Sequence, residues 1–183
     1  MVLSFRKVVQ SLLASALLAG ALVPGLSASA QDENVLRVQT EVEIATLDPN
    51  IATDGTSMEA IASLQEGLMT RNQDGEFVEA AAESYEVSED GTVYTFKLRE
   101  DAVWSNGSPV TAHDFVFSWQ RLADPATAAE YSFILDTAGV KNAAKVTAGE
   151  VDKSELGIVA VDDYTLEVTL EIATPYFLSL MAF

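Results

Sequence analysis

The sequence predicts an α/β fold behind a cleaved export signal. Three observations lead there: a charge-free apolar run near the N-terminus, helically spaced apolar residues over 56–68 and 111–122, and period-two alternation over 85–98 and 158–170. Residues 1–30 stand apart from the fold. Arg6 and Lys7 form a short basic region, an uncharged apolar run from Val8 to Val23 follows, and Pro24-Gly25 break any helix before Ala28-Ser29-Ala30. That succession, ending in small residues, is the pattern of a secretory signal. Its apolar core is too short and wrongly flanked for a membrane span. Leu26-Ser27-Ala28 matches the opening of a bacterial lipoprotein box, yet Ser29 stands where the lipid-accepting cysteine belongs. Serine carries no thioether lipid, so cleavage after Ala30 and release is the expectation, against the alternative of an uncleaved anchor.

Cleavage there leaves 153 residues, enough for one domain or two small lobes. The chain has no cysteine, so an exported protein must hold together by packing without disulfides. Losing Arg6 and Lys7 reduces the 10 basic residues to 8 against 28 acidic ones, a net charge of −20. Such a surface repels phosphate backbones and anionic lipid, which argues against nucleic-acid and membrane-surface partners.

Along the mature chain, Val35 to Gln39 alternates as a strand would, and Glu41 to Leu47 is also suited to extended structure. Asp48-Pro49-Asn50 is turn chemistry. Thr56 or Ser57 can cap a helix whose apolar positions are Met58, Ile61, Ala62, Leu64 and Leu68. Asn72 to Gly75 reads as a surface turn. Tyr85–Val87, Ser88-Glu89-Asp90-Gly91 and Val93–Leu98 make a hairpin, with Tyr94, Phe96 and Leu98 on one face of its second strand. Trp104 precedes the turn Ser105–Pro109. Thr111 opens a helix with Asp114 three residues on, a capping box with Asp in place of Glu, and Phe115, Trp119 and Leu122 form its stripe with Val116 beside them. A polar, alanine-rich stretch from Asp124 to Glu130 leads to Tyr131. A helix near 141–148, a strand pair Ile158–Val161 and Thr165–Leu170, and a final helix with Pro175 in its first turn complete the reading. The last apolar segment stops at Phe183 without cap or polar tail, as in a truncated protein.

The residues offer little chemistry. One histidine, His113, and no cysteine leave zinc without a ligand set, and no metal site or cofactor is expected. His113 falls in the first turn of the Thr111 helix, where a solvent-facing role fits better than a catalytic one. Gly-rich phosphate loops, nucleophile elbows and metalloprotease motifs are lacking. Glu89-Asp90 and Asp162-Asp163 lie in expected turns, where Asp bonds its own backbone. Asp48, Asn50 and Asp54-Gly55 suggest a calcium loop, but the spacing is wrong. Asn106-Gly107-Ser108 fits a glycosylation sequon and is better explained as a tight turn. Trp104, Phe115, Phe117, Trp119 and Tyr131 could form a stacking platform. For Phe115 and Trp119 a core role fits better, because they share a helical stripe, and for Tyr131 the case for a core role is weakest.

One long run is more specific. Ala82-Glu83-Ser84-Tyr85, Ser88-Glu89-Asp90-Gly91, Tyr94-Thr95-Phe96-Lys97-Leu98-Arg99 and Trp104 through Arg121 together resemble the signature of the family-5 extracellular solute-binding proteins, most of all their oligopeptide-binding branch. The resemblance extends to Leu47-Asp48-Pro49, Glu66-Gly67-Leu68, Asp124-Pro125 with Tyr131, and Asp162 to Val168, covering essentially all of 31–183. One stretch departs from the pattern, Phe77-Val78-Glu79, where a proline is usual.

The resemblance implies a periplasmic-binding-protein-like fold of class II: two α/β lobes around a cleft, with an extra small domain. Residues 31–70 would begin the first lobe and 71–183 would form most of the extra domain, without the opposite lobe. It also implies a mechanism. An extended peptide is enclosed and held by main-chain hydrogen bonds while its side chains project into hydrated pockets, and lobe closure signals occupancy to ABC transporter permease subunits. The protein would act as a monomer when full length, with an oligopeptide as ligand. Asp54, Gly55 and Thr56, with Tyr131, occupy positions that match peptide-contacting segments, by position rather than identity at Asp54 and Thr56. The glycine would let backbone approach the ligand. Competing readings are another solute (a nickel complex, haem or an oligosaccharide), peptide-pheromone sensing, and a secreted hydrolase using paired carboxylates.

Overall fold

Helical spacing and strand alternation coexist in one chain because each segment buries a single face, and the computed structural model shows what those faces meet. It describes residues 37–40 and 42–182. The chain divides between Gln39 and Thr40. Of the first unit only 37–39 are described, and they carry no regular secondary structure. The signal in 1–30 and its cleavage site lie outside the described residues. The strand expected over 35–39 is not formed in its described part, nor is any strand assigned over 42–47. Alternation alone does not make a strand, which needs a neighbour for its main-chain groups. At Ala45 and Thr46 the amides are instead taken by a side chain, the Ser57 hydroxyl.

In the second unit, helix α1 (Gly55–Leu64) is followed by a small hairpin of β1 (Met69–Arg71) and β2 (Phe77–Glu79). The hairpin had no sequence signal beyond its turn. Asn72 builds that turn, accepting from the Asp74 and Glu76 amides at 3.0 and 2.9 Å. Arg71 lies over the Phe77 ring, 4.8 Å from its centroid.

The main sheet has strands β3 (Ala82–Val87), β4 (Val93–Leu98), β5 (Ile158–Asp162) and β6 (Thr165–Thr169), in the order β3-β4-β6-β5, every pair antiparallel. Two local hairpins are thus joined by a long-range seam. Register explains the core. Tyr85, Phe96, Leu166 and Ala160 form one row across the sheet, and Val87, Tyr94, Val168 and Ile158 the next. Phe96, Leu166 and Val168 are fully buried. The opposite face carries the row Glu86, Thr95, Glu167 and Val159, which suits water.

Helix α2 (Ala112–Ala123) packs on β5 and β6, with Phe115, Val116, Trp119 and Leu122 against the core and Phe117 outward. Its start is the expected capping box. Asp114 accepts from the Thr111 amide at 2.7 Å and from its hydroxyl at 3.1 Å. Short helices α3 (Phe133–Thr137) and α4 (Ala143–Thr147) add Leu135, Ala143 and Val146 to the core. Helix α5 (Phe177–Leu180) begins after Pro175 rather than with it, because Thr174 accepts the Phe177 amide and makes a turn first. Phe177 is fully buried, its ring 4.5 Å from that of Tyr94.

Gly157 shows how closely the backbones approach. A Cβ there would lie 2.5 Å from the Thr169 carbonyl oxygen and 2.7 Å from Lys141 Cβ. Only glycine fits between those two segments without a shift.

Candidate functional site

The segment that leads into α1 is built from polar side chains bonding nearby backbone. Asp48 accepts the Asn50 amide at 3.0 Å on its carboxylate and the Ala52 amide at 3.0 Å on its carbonyl, closing the expected turn. The helix cap is Asp54, not Thr56 or Ser57. Its carboxylate accepts the Ser57 amide at 2.8 Å, and that bond holds its pKa below the ordinary 3.8. Ser57 is fully buried and does different work, its hydroxyl accepting the Ala45 and Thr46 amides at 3.1 and 3.3 Å. Capping is therefore shifted upstream of the expected Thr56 or Ser57, to the residue whose extended backbone can aim a carboxylate at the first free N–H groups.

The structure brings Asp54, Gly55 and Thr56 together at the N-terminus of α1. Gly55 is exposed, and a Cβ added to it would meet nothing within 4 Å. Asp54 and Thr56 are half-buried. Tyr131 stands in a separate 3₁₀ turn, Glu130–Ser132, that packs against α2. It is half-buried, with its ring 5.8 Å from that of the exposed Phe133, and among the described residues its hydroxyl has no hydrogen-bond partner. Both parts of the predicted site are tied to α2. Asp48 and Asn50, just upstream of Asp54, bond Arg121 and Ser118 of that helix.

Arg121 was not singled out by the sequence. Its signal would have been a basic residue in the last helical turn together with an acidic turn residue awaiting a partner, a pairing across more than seventy positions that periodicity cannot reveal. Hydrogen bonding to Arg121 holds Asp48 below its ordinary pKa and raises that of Arg121.

The other candidates resolve into structure. Trp104 sits in the turn closed by the Ser108 carbonyl, and Asn106 accepts the Ser108 amide at 2.9 Å, so the sequon lies in a tight turn. His113 is exposed, its Nε2 3.4 Å from the equally exposed Asp163. Asp90 and Asp162 hold their own hairpin turns. Ser88 and Thr92 hydroxyls depress the first, and the Thr165 hydroxyl and Tyr164 amide depress the second.

With the α/β architecture and this surface described, comparison with known proteins places the chain. Residues 76–183 match the model for "bacterial extracellular solute-binding proteins, family 5 Middle", and the chain belongs to that family. Among curated relatives, the periplasmic oligopeptide-binding protein OppA of Salmonella typhimurium is 41% identical over 150 residues, covering 82% of this chain and 27% of OppA. The probable deoxycholate-binding periplasmic protein YgiS of Escherichia coli is 40% identical over 172 residues, covering 94% of this chain and 32% of YgiS. Among solved structures, Listeria monocytogenes OppA bound to peptide superposes with a TM-score of 0.74 at 48% identity, over 77% of this chain and 28% of that one. The chain thus spans about a third or less of the length of the relatives it matches. The fold is that of the corresponding part of a periplasmic peptide-binding protein.

Proposed function

We propose that the chain is the N-terminal part of the extracytoplasmic substrate-binding subunit of an ABC importer, one that captures oligopeptides between two lobes and passes them to membrane permease subunits. The observation that carries this is its kinship, in sequence and in fold, with proteins named for oligopeptide binding. In this reading 1–30 is the export signal, 31–70 begins one lobe, and 71–183 supplies most of the small extra domain. Asp54, Gly55, Thr56 and Tyr131 face the ligand. The open backbone at Gly55 would let the main chain of an extended peptide approach, and Tyr131 would offer a ring and hydroxyl beside it.

Catalysis has no part in the proposal. Among the described residues, the carboxylates whose pKa is displaced are displaced downward, by hydrogen bonds from turns or from cations, so these groups are settled anions rather than proton donors near neutral pH. Calorimetric titration of the protein carrying this chain with short mixed-sequence peptides, sugars, nickel and deoxycholate tests the reading. Heat with peptides alone is expected. Saturable binding of deoxycholate without peptide binding would instead favour a bile-acid ligand, the reading suggested by the name of YgiS.

A further inference from the structure

Residues 45–57 form a unit held together from within. The Asp48 carbonyl accepts the Ile51 and Ala52 amides, Asp54 caps Ser57, and the Ser57 hydroxyl returns to Ala45 and Thr46. A segment braced in this way moves as a body, so its placement depends on what ties it to the rest of the fold.

The side-chain tie is concentrated at Arg121. Its Nη1 donates to Asp48 Oδ1 and Asn50 Oδ1, both at 2.8 Å, and its Nη2 donates to Asp48 Oδ2 at 2.6 Å. A weaker bond runs from Asn50 Nδ2 to Ser118 Oγ at 3.4 Å. A planar guanidinium engaging both oxygens of one carboxylate sets angle as well as distance, which a point charge does not. Asn50 is nearly fully buried, so the bond from Arg121 Nη1 to its Oδ1 is shielded from water. Helix α2 also carries the Tyr131 turn and is itself packed on the sheet. It is the common support for both halves of the candidate site.

We propose, resting on the peptide-binding reading, that Arg121 is a positioning residue. Its fork on Asp48 and Asn50 sets where Asp54–Thr56 stand relative to Tyr131, and so the spacing of the two segments with which this part of the protein meets the ligand. Arg121 acts through the segment and not by touching peptide. A lysine would keep the charge and lose the fork.

Nitroxide labels at Glu59→Cys on α1 and Glu130→Cys beside Tyr131 report this spacing without background labelling, since the chain has no cysteine and any outside it is first replaced by serine. Both positions are exposed. Pulsed electron resonance should give one narrow distance distribution in the otherwise unaltered protein. Arg121→Met should broaden it and shift its maximum, Asp48→Asn should do so less, and Arg121→Lys should recover it in part. Arg99→Met, which removes the exposed pair with Glu66, should leave it unchanged. An unchanged distribution in Arg121→Met overturns the proposal. So does widening in the Arg99→Met control, or broadening accompanied in both Arg121→Met and Asp48→Asn by lost amide protection at Phe96 and Leu166, which would mark a merely structural role. The readout needs no ligand. Failure to bind peptide would therefore count against the functional reading alone.

Discussion

At the scale of single residues, polar side chains fix the path of the chain more than they supply reactivity. Asp48 is the clearest case. Hydrogen bonding to Arg121 keeps its carboxyl below the ordinary 3.8, against a smaller opposing effect of burial. The charged form is favoured in the folded state, so its contribution is present above the unfolded pKa and lost as pH falls through the folded one. The pair is about a third exposed, which places its worth near the lower end for charge-assisted bonds. Denaturant unfolding of wild type and Asp48→Asn should differ by about 1 kcal/mol at neutral pH and converge as pH falls through the lowered folded-state pKa of Asp48. A gap that persists in acid would contradict the account. Gly157 is a steric counterpart. An added methyl would press on the Thr169 carbonyl and Lys141, and neither backbone can yield cheaply. Gly157→Ala should cost about 2 kcal/mol, read as a lower urea midpoint at unchanged slope.

At the scale of elements, the contrast between two phenylalanines measures where the core lies. Phe96 is fully buried in the central strand β4, whereas Phe117 on α2 is 68% exposed. Phe96→Ala should lose about 4 kcal/mol, and Phe117→Ala should stay within about 0.5 kcal/mol of wild type. Similar losses in thermal or urea melts of the two variants would mean that α2 is oriented otherwise. The same contrast shows what the sequence could disclose. The 85–98 hairpin, the capped helix at 111 and the 158–170 pair were legible because each combines a turn signature with a clear apolar period. The β1–β2 hairpin was not, because three-residue strands carry no period. Helix α3 was missed because Phe133 is exposed and Leu135 alone among its residues is fully buried. The strand expected over 35–39 is not formed in its described part for the opposite reason: a plausible pattern found no pairing partner among the described residues. At the candidate site, the segments were legible through family resemblance, but the clasp joining one of them to α2 was not, since it rests on contacts between distant residues.

At the scale of the whole molecule, the proposals concern address and ligand. Export should remove residues 1–30, and N-terminal sequencing of the exported protein should begin at Gln31; a start at Met1 would falsify the assignment. Residues 31–183 expressed alone should fold, since the sheet and α2 bury a common core. They should not bind peptide at micromolar concentration or tighter. In the proposed mechanism a peptide is ordered and desolvated by enclosure between two lobes, and one wall leaves that cost largely unmet. Titration of the isolated segment decides the point, and micromolar affinity would show that enclosure is unnecessary.

The strand order has a kinetic consequence. β3 and β4 can pair as soon as residue 98 exists, but β4 is an inner strand whose other neighbour, β6, begins at Thr165. The seam between them closes a loop of more than sixty residues, and the loop entropy must be met before the buried row of Phe96 and Leu166 forms. A nascent chain therefore holds an unfinished sheet until nearly all of this region has been made. In the proposed export, such delay would keep the chain threadable, and folding would complete only when both hairpins have reached the same compartment.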